Sequence, residues 1–288
     1  MHRFILHNDE IREASDAVLS AGQVGVLAGW GVFSTLRVAG GVLFAFERHW
    51  ARMQKDARLL HVPFPEDAAY LHSRLLRLIE SNGAHEATLR VAVVRNRGGI
   101  WEGPNTHDFD LIALTTGLKN WGRGVRLAVA EQSRHAASPF RGVKMLSWAQ
   151  NLVTLELAQA RGFDEVILLN ERGEVSECTS ANIFAAHSDH IWTPPLDSGC
   201  LPGVTRDIIL HEIRAEGLTV EEKALRLEDL ENADEVFITS TTRDLLPIAD
   251  IEGRPAGIND SNRERLQAAF SHYFDEYIGS RVAAGSPQ

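Results

Sequence analysis

Residues 162–184 carry the clearest structural pattern in the chain and read Gly162-Phe-Asp-Glu-Val-Ile-Leu-Leu-Asn-Glu-Arg-Gly-Glu-Val-Ser-Glu-Cys-Thr-Ser-Ala-Asn-Ile-Phe184. The apolar run at 165–169 and the run that starts at Val175 are both typical of β-strands. A short polar turn at 170–173 joins them and favours antiparallel pairing. The pattern therefore predicts a β-hairpin whose second strand carries Glu177.

The sequence on both sides of this hairpin mixes strand-like and helix-like runs. In the second half we predict strands at 125–130, 182–186 and 235–239, and helices at 147–161 and 205–215. In the first half we predict strands at 4–6 and 41–46 around a glycine-punctuated segment at 22–33, helices at 47–60 and 66–81, and strands at 88–94 and 109–115. Because strands and helices are mixed rather than strictly alternating, the expected class is α+β and not a doubly wound sheet.

A glycine-rich, weakly hydrophobic segment at 116–124 separates the two halves and reads Thr-Gly-Leu-Lys-Asn-Trp-Gly-Arg-Gly. Such a composition is typical of a connection between domains. The sequence therefore predicts a smaller N-terminal domain at 1–115, an interdomain linker at 116–124 and a larger C-terminal domain at 125–288.

Composition limits the classes of function. The chain has 288 residues, of which 44% are hydrophobic and 24% charged, as in ordinary soluble proteins. Its 29 basic and 39 acidic residues give a net charge of −10, and we find no basic patch for nucleic acid or anionic lipid. The two cysteines, Cys178 and Cys200, suit neither a disulfide framework nor a metal pair. No apolar run reaches the roughly 20 residues of a membrane helix, so we expect a soluble, cytoplasmic protein without a metal site.

Lysine is rare in this chain. The four lysines are Lys55, Lys119, Lys144 and Lys223, and Lys144 stands in Gly-Val-Lys-Met-Leu with no acidic residue among the seven positions before it. Burial among apolar groups lowers the pKa of an ammonium group, and an imine-forming nucleophile requires an amine nearer neutrality. Lys144 is therefore the candidate nucleophile. The alternative is a surface lysine whose stem packs on its neighbours.

Two segments combine backbone N–H groups and hydroxyls in a way that suits an anion. Leu201-Pro-Gly-Val-Thr-Arg206 places the N–H groups of Val204 and Thr205 at a predicted helix N-terminus, where the helix dipole favours phosphate. Thr239-Ser-Thr-Thr242 follows a predicted strand. The alternatives are a plain Pro-Gly turn with Thr205 as the N-cap and an ordinary polar loop.

Two charged side chains are further candidates. Glu177 interrupts a run of small, uncharged residues, and a buried carboxylate needs a partner such as a protonated ring nitrogen. Arg52 lies at helical spacing from His49 and carries the guanidinium fork that binds phosphate. The alternatives are an exposed strand glutamate and a solvated helix arginine.

Taken in order, these segments resemble the class IV, or fold type IV, pyridoxal-phosphate aminotransferases, a family that includes branched-chain and D-amino acid aminotransferases and aminodeoxychorismate lyases. The resemblance extends over most of the chain, about residues 20–250. The segments that carry it are Gly29-Trp-Gly-Val-Phe-Ser-Thr-Leu-Arg37, His49-Trp-Ala-Arg52, Lys144-Met-Leu-Ser-Trp148, residues 162–170 with 173–184, Thr193-Pro-Pro-Leu196 and Leu201-Pro-Gly-Val-Thr-Arg206. Each segment alone is a weak signal, whereas the ordered set is specific.

The resemblance implies a role for each candidate. Lys144 would bind pyridoxal 5′-phosphate covalently and move the substrate's α-proton. Glu177 would pair with the pyridine nitrogen, so that the protonated ring accepts electrons. The phosphate would be bound by Arg52, Val204, Thr205 and either Ser240 or Thr241. Members of the family are usually homodimers with the site between a small and a larger domain.

The substrate is less clearly indicated. The residues expected to line the pocket are Trp30, Phe33, Thr35, Arg95, Trp101, Trp148 and Thr242. Matching Arg95 to the arginine after the corresponding strand puts Ile100 where D-amino acid enzymes carry a carboxylate-binding arginine, which favours L-amino acids. Ala28 and Ser34-Thr35 depart from the tyrosine and the Glu-Gly pair of branched-chain enzymes.

The leading hypothesis is therefore a transaminase that moves an amino group between an L-amino acid, with branched-chain amino acids among the candidates, and a 2-oxo acid. One alternative is an aminodeoxychorismate lyase that forms 4-aminobenzoate and pyruvate, because Gly-x-Gly-x-Phe-x-Thr and Glu177-Cys178 resemble the lyases. The asparagine that often follows the lyase lysine by three positions is absent. The other alternative is a coenzyme-binding protein without turnover.

Overall fold

A computed structural model describes residues 1–16, 19, 22–98, 103, 107–257 and 261–285. The chain divides into two compact units. Unit 1 comprises Met1–Lys119, Lys144–Trp148 and Asp275–Gln288, and unit 2 comprises Asn120–Val143 and Ala149–Phe274. Each unit has its own sheet and its own apolar core.

The sheet of unit 1 is antiparallel and has six strands in the order β2-β1-β6-β5-β3-β4. Its elements are β1 (Phe4–His7), β2 (Glu10–Glu13), α1 (Val24–Ala28), β3 (Gly31–Ala39), β4 (Val42–Leu43), α2 (Phe46–Leu59), α3 (Ala68–Asn82), β5 (Ala87–Arg95) and β6 (Phe109–Gly117).

Helix α3 shows why the two helices of unit 1 pack against this sheet. Its buried residues recur at helical spacing, and with buried residues of α2 they join the apolar side chains of the strands in one core. The helix begins after Asp67, whose carboxylate accepts a hydrogen bond from the N–H of Tyr70 at 2.9 Å. It ends at Gly83, whose φ of 57° is left-handed, as the Asn82-Gly83 signal predicts.

The sheet of unit 2 is mixed, in the order β12-β11-β10-β13-β14-β7-β8-β9, with β15 paired to β14. Three pairs are parallel: β7 with β8, β7 with β14, and β11 with β12. The elements are β7 (Val125–Arg134), α4 (Ala149–Ala160), β8 (Glu165–Asn170), β9 (Val175–Cys178), β10 (Asn182–His187), β11 (His190–Thr193), α5 (Val204–His211), β12 (Thr219–Glu222), α6 (Leu227–Glu231), β13 (Glu235–Ser240), β14 (Asp244–Ile251), β15 (Arg254–Pro255) and α7 (Ser261–Gly285).

The predicted hairpin is confirmed, because β8 and β9 pair antiparallel. The strand predicted at 41–46 is wrong: only Val42–Leu43 is a strand, and α2 already begins at Phe46. The main strand of this region is β3 (Gly31–Ala39). It begins inside the glycine-punctuated segment at 22–33, where the sequence predicts no strand. Gly31 interrupts the apolar pattern there, and a Cβ at this position would overlap the carbonyl oxygen of Val93 on the neighbouring β5.

The division between the units differs from the predicted domains in two segments. The boundary between residues 119 and 120 falls inside the predicted linker, but Lys144–Trp148 and Asp275–Gln288 belong to unit 1. The first segment does so because Met145 pairs with Val32 of β3. In the second segment, the hydroxyl of Tyr277 on α7 donates to Oε2 of Glu47, which also belongs to unit 1, at 2.7 Å.

Among the described residues, no helix combines the length and apolar character of a membrane span.

Candidate active site

Lys144 is held at the edge of β3 by its backbone. Its N–H donates to Asp56 Oδ2 at 3.1 Å, and its carbonyl oxygen accepts from the N–H of Phe33 at 3.1 Å. Two residues later, the N–H of Leu146 donates to the carbonyl oxygen of Gly31 at 2.9 Å. These bonds fix the position of residue 144 independently of its side chain. Lys144 is also the one half-buried lysine of the four, since the others are exposed.

Phe33 is the centre of a cluster around the amine of Lys144. The Lys144 Nζ lies 4.6 Å from the centroid of the Phe33 ring, and Trp148 meets the same ring edge-on at 6.1 Å. The guanidinium carbon of Arg90 lies 3.9 Å from that centroid. Thr35 pairs in register with Arg90, so both side chains leave the sheet on the same face. The structure therefore brings the predicted residues Phe33, Thr35 and Trp148 together with Lys144.

Arg90 belongs to this cluster although the sequence analysis did not single it out. It is half-buried on β5 and has no carboxylate partner within the described part of the chain. Burial lowers its pKa from the ordinary value, but an arginine remains charged. A half-buried guanidinium without an acidic partner, in contact with the same phenylalanine ring as the candidate nucleophile, is suited to bind an anionic group of a ligand.

Arg52 is buried on α2 and connects to a serine and a histidine. Its Nη2 donates to Ser34 Oγ at 2.9 Å, and that oxygen lies 2.7 Å from His49 Nδ1. Burial, followed by the charges of Arg52 and Lys144, holds the pKa of His49 well below its ordinary value. Burial also lowers the pKa of Arg52 to about 10, although the carboxylate of Asp56 opposes this shift. At neutral pH the histidine is therefore neutral and the arginine is charged.

The His49 ring has one nitrogen left for a ligand. A hydroxyl oxygen can accept two hydrogen bonds, so the donor in the contact between Ser34 Oγ and His49 Nδ1 is set by the tautomer of the ring. Nε2 is buried without a hydrogen-bond partner among the described residues. A buried polar atom without a hydrogen-bond partner is costly, so Nε2 is suited to a hydrogen bond with a bound ligand.

Glu177 of unit 2 is a buried carboxylate, so the alternative of an exposed strand glutamate is wrong. Its Oε1 accepts from Arg134 Nε at 3.0 Å, and its Oε2 accepts from the N–H of Leu201 at 3.0 Å. Arg134 Nη1 also donates to Asn151 Oδ1 at 3.3 Å, and Asn151 Nδ2 donates to the carbonyl oxygen of Thr179 at 2.7 Å. Both carboxylate oxygens are thus held by donors that are themselves fixed.

The N-terminus of α5 fits an anion. The helix begins at Val204 after Gly203, where a Cβ would overlap Asn182 Oδ1 and no side chain caps the helix. The first N–H groups of a helix, here those of Val204 and Thr205, have no acceptor within it. Helix α5 packs against β13, which ends at Ser240, and the hydroxyls of Thr205 and Ser240 are buried without partners in the described ranges. A phosphate group would satisfy these donors.

Trp30 and Arg95 form a separate stack in unit 1. The guanidinium carbon of Arg95 lies 4.1 Å from the ring centroid of Trp30. Arg95 donates to the carbonyl oxygens of Arg97 and His61, and the indole N–H of Trp30 donates to the carbonyl oxygen of Leu60 at 2.8 Å. Backbone carbonyls therefore accept from Nε and Nη1 of Arg95 and from the Trp30 indole, and a role in the substrate pocket stays a prediction. Ile100 and Trp101 lie outside the described residues.

Sequence reasoning missed Arg90, Ser34, His49, Asp56 and Arg134 as parts of the site. One signal was available: Arg90 is the sole charged residue of the predicted strand at 88–94. Arg134 offered none, because it lies 43 positions from Glu177 and meets it only through the pairing of β7, β8 and β9.

Comparisons with known proteins agree with this geometry. The family model described as Amino-transferase class IV matches residues 31–251. The D-alanine aminotransferase of Bacillus licheniformis is 30% identical over 263 residues, which cover 88% of this chain and 90% of the relative. A putative branched-chain-amino-acid aminotransferase of Methanocaldococcus jannaschii is 30% identical over 253 residues, covering 86% and 87%.

The same family appears among solved structures. The branched-chain amino acid aminotransferase from Escherichia coli matches with a TM-score of 0.85 and 25% identity, and the match covers 95% of each chain. The predicted α+β fold of type IV is therefore confirmed over nearly the whole chain.

Proposed function

The chain belongs to the class IV aminotransferases, and from that premise we propose which residues perform its reaction and which substrates it takes. It is a pyridoxal-phosphate-dependent transaminase, which moves an amino group between an amino acid and a 2-oxo acid. The observation that carries the assignment of roles is the setting of Lys144, the one half-buried lysine, whose backbone is fixed on both sides.

We assign the coenzyme contacts as follows. When bound, pyridoxal phosphate supplies an aldehyde that links amino groups covalently and a ring that accepts electrons from the substrate's α-carbon. Lys144 Nζ provides the covalent anchor, and Glu177 holds the proton of the ring nitrogen. The phosphate-binding residues are Arg52, Val204, Thr205, Ser240 and Thr241. The unsatisfied buried hydroxyls of Thr205 and Ser240 support this assignment.

The chain's own groups then move and hold protons. Lys144 Nζ would take the α-proton from the amino substrate and, in the second half of the transfer, would deliver a proton to the α-carbon of the oxo-acid substrate. Phe33 supports the amine from one side and limits the access of water to it. Arg134 and the N–H of Leu201 fix the carboxylate of Glu177, so that its charge stays in one place during the reaction.

Arg90 supports a dicarboxylate as one of the two substrates. A second carboxylate, such as the side-chain carboxylate of glutamate or of 2-oxoglutarate, would pair with its guanidinium. The rings of Phe33 and Trp148 in the same cluster suit an apolar side chain on the other substrate. We therefore propose transfer between an apolar L-amino acid, with branched-chain amino acids as first candidates, and 2-oxoglutarate.

An assay of the purified protein tests this function. Single L- and D-amino acids are supplied with 2-oxoglutarate, pyruvate or an apolar 2-oxo acid, and the transferred amino group is quantified. We expect turnover with apolar L-amino acids and 2-oxoglutarate. Turnover restricted to D-amino acids would contradict the stereochemical proposal. Formation of pyruvate and 4-aminobenzoate from aminodeoxychorismate, without transfer, would favour the lyase, and bound coenzyme without any exchange would indicate loss of turnover.

The variant Arg90→Gln is expected to lose the preference for dicarboxylates. Removing one charge-assisted contact costs about 1.5–3 kcal/mol, so KM for 2-oxoglutarate should rise roughly 10- to 150-fold. KM for an apolar 2-oxo acid should change less than about threefold. Arg77→Gln, at an exposed position of α3, is the control for loss of an arginine. An equal rise for both acids would show that Arg90 does not bind the second carboxylate.

We also propose that the protein is a homodimer. Leu152, Val153 and Leu157 are 52%, 53% and 64% exposed and lie on one side of α4. A contiguous patch of large apolar side chains on a monomer typically marks an interaction surface, and closed symmetric pairs are the commonest oligomers. Sedimentation equilibrium is expected to give twice the chain mass of 31.9 kDa. Leu157→Glu should shift the equilibrium at least about tenfold toward monomer, whereas Thr219→Glu, at an exposed position of β12 outside this patch, should not.

A further inference from the structure

The side chain of Asn182, the first residue of β10, is buried against the segment 201–203. Its Nδ2 donates to the carbonyl oxygen of Leu201 at 2.9 Å. Its Oδ1 lies so close to Gly203 that a Cβ at that position would overlap it. One asparagine therefore contacts both the first and the last residue of this segment.

Leu201 is bonded through both of its backbone polar groups. Its N–H donates to Glu177 Oε2 at 3.0 Å. Its carbonyl oxygen accepts from Asn182 and also from the N–H of Gly203 at 2.8 Å. The ring of Pro202 fixes the φ angle of the residue between them. A shift of the Leu201 carbonyl would therefore also move the N–H that holds Glu177.

Gly203 extends this connection into α5. Its carbonyl oxygen accepts from the N–H of Asp207 at 2.9 Å in the first turn of the helix. Its φ of −66° and ψ of 140° are open to any residue, so the backbone conformation does not require glycine here. The contact with Asn182 does require it, because a Cβ would occupy the space of Oδ1.

We propose that Asn182 is a positioning residue, which holds the segment 201–203 so that Glu177 and the N-terminus of α5 keep a fixed separation. This proposal rests on the function proposed above, in which Glu177 binds the ring nitrogen of the coenzyme and Val204 and Thr205 bind its phosphate. A ligand of fixed length gains from both contacts only when their separation matches it. Asn182 itself is not required to touch the coenzyme.

The test uses two probes that each resemble one end of the coenzyme. Inorganic phosphate reports on the α5 end, and pyridoxine, which has the ring without the phosphate and the aldehyde, reports on the Glu177 end. Their dissociation constants are measured with the full chain freed of coenzyme. Glu177→Gln should weaken mainly the binding of pyridoxine, and Thr205→Val mainly that of phosphate, which identifies the end that each probe reports.

Asn182→Ala is expected to raise both dissociation constants, about three- to tenfold each, as for the loss of one hydrogen bond. Asn262→Ala is the matched control. Asn262 is 7% exposed against 5% for Asn182, and its Nδ2 likewise donates to a backbone carbonyl oxygen, that of Ser188. The control should lower the thermal unfolding midpoint by a similar amount and leave both dissociation constants within about twofold.

Gly203→Ala tests the same contact from the other side. The added methyl group should displace the Asn182 side chain and raise both dissociation constants about three- to tenfold. In the Asn182→Ala background the same substitution should cost less than about twofold, because the space is then free.

The proposal is overturned if Asn182→Ala raises neither dissociation constant more than Asn262→Ala does, or raises only one of them. Additive effects of Gly203→Ala and Asn182→Ala would overturn it as well. If the unsubstituted protein binds pyridoxal 5′-phosphate and transaminates in these experiments, only this inference fails. If the unsubstituted protein binds neither the two probes nor pyridoxal 5′-phosphate, the proposed function fails and this inference fails with it.

Discussion

Lys144→Ala is expected to lose transamination by at least about a thousandfold while keeping the fold. The amine is the proposed covalent anchor and proton carrier, and no other lysine is half-buried in a comparable position. The structural bonds of residue 144 are made by its N–H to Asp56 and by its carbonyl oxygen to Phe33. Alanine retains both, so circular dichroism and the thermal unfolding midpoint without coenzyme should match the unsubstituted protein.

Lys55→Ala is the control for loss of a lysine, since Lys55 is exposed on α2. A second measurement does not depend on turnover. Borohydride reduction of the coenzyme-loaded protein, followed by peptide mass spectrometry, should attach the coenzyme to the peptide that contains Lys144. The label should be absent from Lys144→Ala and present in Lys55→Ala. Retention of more than about a tenth of the activity, or a label on another lysine, would contradict the assignment.

Local signals explain which parts of the site the sequence could predict. Pro202 and Gly203 predict the start of α5 because proline and glycine influence the backbone conformation next to them, where the helix begins. The isolation of Lys144 from acidic residues is likewise visible in a short window of sequence. Glu177 was recognisable for the same reason, as one charge within a run of small residues.

Contacts across strands explain what the sequence could not show. The contact of Arg134 with Glu177 depends on the pairing of β7 with β8, which shifts register between Ala130 and Arg134. The hydrogen bonds that join Arg52 to Ser34 and His49 depend on how α2 lies on β3. Neither the register shift nor the packing of the helix leaves a pattern in a single sequence.

The assignment of residues 144–148 to unit 1 has the same origin. Pairing of Met145 with Val32 connects positions 113 apart and adds a short segment to the edge of an existing sheet. Composition does not change at residue 144. A boundary placed from composition alone at 116–124 therefore cannot reveal that residues 144–148 belong to unit 1. The candidate nucleophile therefore lies in the unit opposite to the one that the sequence predicted.

Glu177→Gln is expected to lower kcat at least about 100-fold with a small effect on the fold. Loss of a charge-assisted contact to the coenzyme ring costs about 1.5–3 kcal/mol, and loss of the ring proton weakens the ring as an electron acceptor as well. The glutamine amide can still accept from Arg134, but its NH₂ group then faces the N–H of Leu201. The site loses one hydrogen bond there, so the unfolding midpoint should fall by a few degrees.

Glu174→Gln is the matched control. Glu174 also pairs with an arginine, Arg172, at 2.7 Å, and this contact helps to lower the pKa of Glu174 to about 2. Its replacement should reduce stability without changing kcat. The protonation of the coenzyme ring can be followed directly by NMR of coenzyme labelled with ¹⁵N in the ring. The ring nitrogen should be protonated in the unsubstituted protein and in Glu174→Gln, and unprotonated in Glu177→Gln.

Arg134 provides the last step of this test, because it is proposed to act only through Glu177. Arg134→Gln should reduce kcat roughly tenfold in the unsubstituted protein, since the carboxylate keeps only its bond from the N–H of Leu201. In the Glu177→Gln background the same substitution should cost less than about twofold, because the charge that Arg134 positions is already gone. Additive losses would mean that Arg134 acts on the coenzyme or substrate directly, and unchanged ring protonation in Glu177→Gln would remove Glu177 from the mechanism.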